Sequence, residues 1–243
     1  MKKSTMKRGA LALVLVGSAI GAQAASVSLT LTGWAIGGNT VNLGSNGSAQ
    51  AGGFTGTLAN AGAFNSDPFL TYCIELSQNF SFSGSVMPGY EIVGGSSYFG
   101  TRRGDASKAE RLGKLWTYVA NNGSQVDTAA ESTAMQLAIW NIVYDTDNTL
   151  NYSSGASFSD GSSNATYRTQ ANFLLAQSLT VGASQFDVFA LQSATTQDFL
   201  LTSRRPPDGP QGNAVPEPAS LALSLLALAG LGLVSRRRVV KAG

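Results

Sequence analysis

Cys73 is the only cysteine in 243 residues, and the chain has no histidine. The thiol sits in a strand-like run, Tyr72-Cys73-Ile74-Glu75-Leu76, and Gln136 sits within an apolar run, Ala134-Met135-Gln136-Leu137-Ala138-Ile139-Trp140. An odd cysteine in an exported chain pairs between chains, stays free or enters some other covalent bond. A thiolate that attacks a side-chain carboxamide expels ammonia and leaves a thioester. That reaction needs sulfur and carbonyl held in line and water kept away from the product. Each residue also has a plainer reading. A free cysteine is usually a small buried hydrophobe, and a buried glutamine is usually satisfied by a hydrogen bond to a loop backbone.

The missing histidine narrows the alternatives. It removes histidine-based triads, the usual general base and the commonest zinc ligand. A single cysteine builds neither an intrachain disulfide nor a thiolate metal cage. No metal or cofactor is therefore expected. A hydrolase using Cys73 as nucleophile would lack its usual base, so an enzyme is not expected either.

The elements that must position the pair can be read from periodicity. Val27, Leu29 and Leu31 alternate with Ser28, Thr30 and Thr32, as in a half-buried strand. Gly-Asn-Ser clusters at 37–53 and 60–68 read as turns. Around the cysteine, alternation places Tyr72, Ile74 and Leu76 on the core face and Thr71, Cys73, Glu75 and Ser77 on the polar face. Glu75 thus shares the thiol's side and could assist proton movement. A short strand is expected over 90–93.

The period then becomes helical. Leu112, Leu115, Trp116 and Val119 predict a helix from a cap at Ser107 to Ala120. A second helix should start at Asp127 or Thr128 and run to Tyr144, and it is apolar on nearly all sides around Gln136. A third is expected over 165–179, with closing strands at 186–191 and 199–201. These elements predict an α+β fold, a β-rich sandwich or barrel body with a helical insertion.

Both ends look like targeting segments. Lys2, Lys3, Lys7 and Arg8 precede an apolar run from Ala10 to Ile20, and Ala22-Gln23-Ala24 supplies small residues for cleavage. Residues 1–24 are therefore expected to be a signal peptide, removed by signal peptidase. The body is expected over 25–203, a Pro- and Gly-rich linker over 204–214 and a sorting segment over 215–243. Its apolar stretch, Ala219 to Val234, is at the short edge for a transmembrane helix. Arg236, Arg237 and Arg238 would keep its end cytoplasmic. Between 25 and 217 lie eight basic residues and all fourteen acidic ones, a net charge near −6. The formal +2 of the whole chain thus comes from its ends. Without a basic stripe, nucleic acid is not an expected partner.

Pro216-Glu217-Pro218, followed by the apolar stretch and the arginine cluster, resembles the PEP-CTERM sorting signal of Gram-negative bacteria. The resemblance implies processing by exosortase after transient membrane anchoring, and release or transfer to the cell exterior. The residues around the pair resemble a second family, the internal Cys-Gln thioester domains of bacterial surface adhesins. Tyr72-Cys73-Ile74-Glu75 matches its cysteine segment, and Gln136-Leu137-Ala138-Ile139-Trp140 matches its Gln-x-Ala-Ile-Trp segment. The helix over Arg111 to Tyr118 falls where that family has one. The chain departs from the family at Met135, where threonine is frequent, and at Leu137, where a polar residue is. This resemblance implies a Cys73–Gln136 thioester that captures an amine on a surface or matrix target, by a single use without turnover. The alternative is a non-covalent matrix or exopolysaccharide-associated structural protein in which the two residues merely pack.

Overall fold

The structure is a computed structural model that describes residues 26–65, 69–80, 82, 84–150 and 165–206. The expected signal peptide, sorting motif and C-terminal span fall outside these residues. Among the described residues no helix is long and apolar enough to cross a membrane.

Among the described residues six antiparallel strands form one sheet in the order β3-β2-β1-β4-β5-β6. They are β1 (Val27–Asn42), β2 (Ser48–Ala59), β3 (Phe69–Thr71), β4 (Met87–Gly94), β5 (Phe186–Gln192) and β6 (Phe199–Arg204). Four α-helices among the described residues lie between β4 and β5 in sequence: α1 (Gly95–Arg103), α2 (Lys108–Asn121), α3 (Ala129–Tyr144) and α4 (Ala165–Thr180). The α+β body with a helical insertion is therefore observed. The insertion leaves the sheet after β4 and returns as β5, directly beside β4, where Gly94 pairs with Phe189.

The sheet curls until its two edges meet. Just after β3, Cys73 forms an isolated antiparallel bridge with Phe199 of β6. Leu200 N donates to Tyr72 O at 2.8 Å, and Ile74 N donates to Asp198 O at 3.0 Å. Thr71 Oγ1 adds a bond to Leu200 O at 2.6 Å. These bonds nearly close the sheet into a barrel, which removes the unpaired edges an open sheet would expose.

The region 37–53 differs from its reading as a turn. β1 and β2 form one long ribbon from Ser28↔Ala59 to Asn42↔Ser48, with bulges after Leu31 and Trp34. Only the short connection at 43–47 turns the chain. The glycines answer to a side chain: a Cβ on Gly38 or Gly52 would run into the Trp34 ring. In a strand such glycines mark close approach.

The helix readings hold closely. Thr128 caps α3, its hydroxyl accepting from Glu131 N while the Glu131 carboxylate accepts from Thr128 N, a capping box. Every residue of α3 from Ser132 to Val143 is buried. Helix α1 was not expected, because only Tyr98 and Phe99 give Gly95–Arg103 an apolar signal. Arg204 lies in β6, and Arg205 pairs with Asp187 at 2.8 Å and Glu110 at 3.5 Å. Both arginines, read as the start of the linker, are held by the body.

Candidate functional site

Cys73 lies at the barrel seam, and the polar face expected to carry it is buried there. Thr71, Tyr72, Cys73 and Ile74 are all buried, with Cys73 at 3% exposure. The polar face appears only at Glu75, which is half-buried, and Ser77, which is exposed. Alternation correctly separates the two sides of the strand but cannot tell that both are covered. Tyr72 faces the helices and meets Trp116 of α2 edge-on, with ring centroids 5.8 Å apart. Gly53 passes so close that a Cβ there would lie 2.9 Å from the Tyr72 hydroxyl.

Helix α3 brings the glutamine to this strand. The β2–β3 ladder runs through Gly56↔Phe69, Thr55↔Leu70 and Phe54↔Thr71 and then ends. Beyond that pair, side chains of α3 take the backbone groups of both strands. Gly53 N donates to Ser132 Oγ at 2.8 Å. Cys73 N donates to Gln136 Oε1 at 2.9 Å, and Gln136 Nε2 donates to Cys73 O at 2.8 Å. Ser132 and Gln136 are four residues apart and so share one helix face. The Gln136 carboxamide thus replaces a peptide unit of the missing ladder. Buried main-chain groups require partners, and this one side chain supplies both. Gln136 itself is fully buried.

The arrangement defines a chemistry. The Cys73 N–H points at the carboxamide oxygen, the atom that becomes an oxyanion if sulfur adds to the Gln136 carbonyl carbon. A donor fixed on that atom before reaction stabilises the developing charge. The Cys73 carbonyl holds the nitrogen that would depart. Against this, the thiol is pushed well above its ordinary pKa, first by burial and second by the Glu75 carboxylate. A buried neutral thiol is inert until something takes its proton. Glu75 is the carboxylate whose field reaches the sulfur, and the Ser77 hydroxyl donates to it.

A polar network that the sequence reading missed fixes the seam around the pair. Asp198 is 3% exposed; its carboxylate accepts from Tyr98 OH at 2.6 Å and from Ser193 N at 2.7 Å. Its main-chain oxygen receives Ile74 N at 3.0 Å. Burial and the hydrogen bond to Asp198 raise the Tyr98 pKa. Gln197 Nε2 donates to Glu75 O at 2.9 Å, and Leu76 N donates to Tyr144 OH at 2.8 Å. Arg103 lies 4.0 Å over the Tyr144 ring and donates to its hydroxyl. Asp198 and Gln197 carried no local signal, since each stands in a short polar stretch. Ser132 could have been found as the residue one turn before Gln136.

The structure therefore brings Cys73 and Gln136 together through the Cys73 backbone, and the Glu75 carboxylate adds to burial in raising the thiol pKa. Pro216, Glu217 and Pro218 lie outside the described residues. Comparison with known families adds one finding: a model described as the PEP-CTERM protein-sorting motif matches residues 214–238. No curated protein matches the chain. The motif supports an exported, exosortase-processed protein of the cell surface or exterior. The match covers the sorting segment alone and does not bear on the chemistry of the body.

Proposed function

We propose that this exported surface protein forms an internal thioester between Cys73 and Gln136 and uses it once to capture an amine. Cys73 Sγ adds to the Gln136 carbonyl carbon, and the S–C bond forms as the C–Nε2 bond breaks. Nitrogen leaves as ammonia with the thiol proton, which Glu75 can relay. A primary amine on a target, such as a lysine, then attacks the same carbon. Its N–C bond replaces the S–C bond, the thiol is regenerated and an amide joins the two molecules. There is no turnover. Signal peptidase and exosortase are the processing partners, and an amine-bearing surface or matrix protein is the target.

The observation that carries the reading is the paired hydrogen bond between the Gln136 carboxamide and the Cys73 backbone, within a region closed to water. The same observation gives the second reading its force. Each polar atom of the carboxamide has a partner in those two bonds, so the pair could serve as a clasp in a non-covalent matrix or exopolysaccharide-associated protein. Intact mass of the purified body separates the two. The thioester predicts a mass below the calculated one by one ammonia, restored to the calculated value in Cys73→Ala. Methylamine should then add to Gln136 and release the thiol. A full-mass protein whose Cys73 alkylates without prior amine treatment would leave only the clasp.

A further inference from the structure

Pairing geometry locates the cysteine side chain. At the seam, Ile74 N bonds to Asp198 O and Leu200 N to Tyr72 O, so the hydrogen bonds flank the Cys73↔Phe199 pair instead of joining it. In an antiparallel ladder, residues facing each other this way have close side chains on the same side of the sheet. Phe54 pairs with Thr71, two residues before Cys73, and therefore shares that side as well. The rings of Phe54 and Phe199 stand on the strands flanking the cysteine strand. Such strands are roughly 9.5 Å apart by ordinary sheet spacing. The ring centroids are 6.4 Å apart, so the rings lean together over the strand between them.

Two further rings close this roof. Phe80 meets Phe54 edge-on at 5.0 Å and Phe199 at 5.1 Å. Phe82 lies 5.2 Å from Phe54, 5.1 Å from Phe80 and 5.3 Å from Trp34. Phe54 and Phe199 are fully buried, whereas Phe82 is 41% exposed. The stack thus runs from the surface to the residue facing the thiol. Both outer rings lie after Cys73 in sequence and outside the six strands, so they are the part of the roof that the sheet does not hold.

We infer that Phe80 and Phe82 form the water-excluding cover of the thiol-bearing face at Cys73, and that they must swing aside before an amine or water reaches the reactive bond. The chemistry rests on the thioester reading, but the geometry does not. A thioester buried this way survives hydrolysis because its approach is filled by aromatic rings. Capture is then governed by how often the cover opens.

The experiment compares Phe80→Ala and Phe82→Ala with the unchanged body. Phe173→Ala serves as a control, since Phe173 is a similarly exposed ring on α4. Intact mass first establishes whether ammonia has been lost, which tests the thioester reading. If it has, each cover variant should gain water and add methylamine severalfold faster, with the control unchanged. If it has not, the thioester reading fails, and the cover is tested by the alkylation rate of the free thiol, which should rise in the same two variants. Thermal melting checks the fold, and Phe80→Leu and Phe82→Leu replace any alanine variant that melts early. Rates in the cover variants equal to those of the control would overturn the inference in either branch.

Discussion

The β1–β2 ribbon and the Cys73 seam belong to one sheet but are held by different means. The ribbon pairs backbone with backbone over nearly its whole length. At the seam, two main-chain hydrogen bonds flank a single bridge, and side chains from α1, α3 and the β5–β6 connection complete the rest. A ladder built from backbone alone depends little on which side chains it carries. A ladder completed by side chains depends on each of them. It also places reactive groups against main chain in a fixed geometry, which is the condition that covalent chemistry between two side chains requires.

The sharpest way to break this contrast is Gln136→Ala. It strips partners from Cys73 N and Cys73 O, both buried, and leaves a void beside a helix with no exposed side between 132 and 143. Each of the two abandoned buried groups costs about 1–3 kcal/mol, so a loss of roughly 2–6 kcal/mol is expected in a denaturant titration. Cys73→Ala keeps both hydrogen bonds to Gln136 and should cost clearly less in a protein without the cross-link. Equal losses in the two variants would mean that the bond between the residues, not the clasp, supplies the stability. A small loss in Gln136→Ala would show that the seam does not need the glutamine at all.

The second test moves along the seam to Tyr98→Phe. The change removes the only side-chain donor seen on Asp198 Oδ2 among the described hydrogen bonds. Ser193 N still serves the other oxygen. A hydrogen bond to a charged group contributes about 1.5–3 kcal/mol, and a loss in that range is expected from the denaturation midpoint. Asp198 also receives Ile74 N through its main chain. The variant should therefore speed thiol alkylation or amine capture at Cys73 as well as lower stability. Stability lost without any change in those rates would uncouple the network from the pair.

How far the sequence reveals each region follows from the same difference. Periodicity found α2, α3 and α4 within a residue or two, because burial on a helix leaves a regular trace. It also set Cys73 in a strand-like run and Gln136 in an apolar helix, two residues that the structure joins by a pair of hydrogen bonds. It missed the ribbon, since Gly37, Gly38, Gly52 and Gly53 read as turn residues when judged locally. Two of them make room for Trp34, a tertiary demand with no local signature. It placed Cys73 on a polar face and could not show that face to be buried, because the rings on that side come from other parts of the chain, Phe54, Phe80 and Phe199. Asp198 and Tyr98 were illegible for a related reason: their partnership spans 100 residues and two elements. What alternation cannot see is how many layers lie above a strand.

The smallest effect should come from the ribbon. Gln50 Nε2 donates to Thr40 Oγ1 at 3.0 Å, an exposed side-chain bond that joins facing residues of β1 and β2. Thr40→Ala deletes it but leaves the Thr40↔Gln50 backbone pairing in place. Both groups return to water, so no buried donor or acceptor is abandoned, and surface changes of this kind usually stay within about 0.5 kcal/mol. The denaturation midpoint should barely move, and alkylation or capture at Cys73 should not change. The comparison with Tyr98→Phe is the informative one, because each variant removes a single hydrogen bond between two side chains, one exposed and one buried. If Thr40→Ala cost as much, side chains would matter equally in ribbon and seam, and the special standing of the Cys73 region would be lost. If it costs nothing, the seam is where this sheet depends on its side chains.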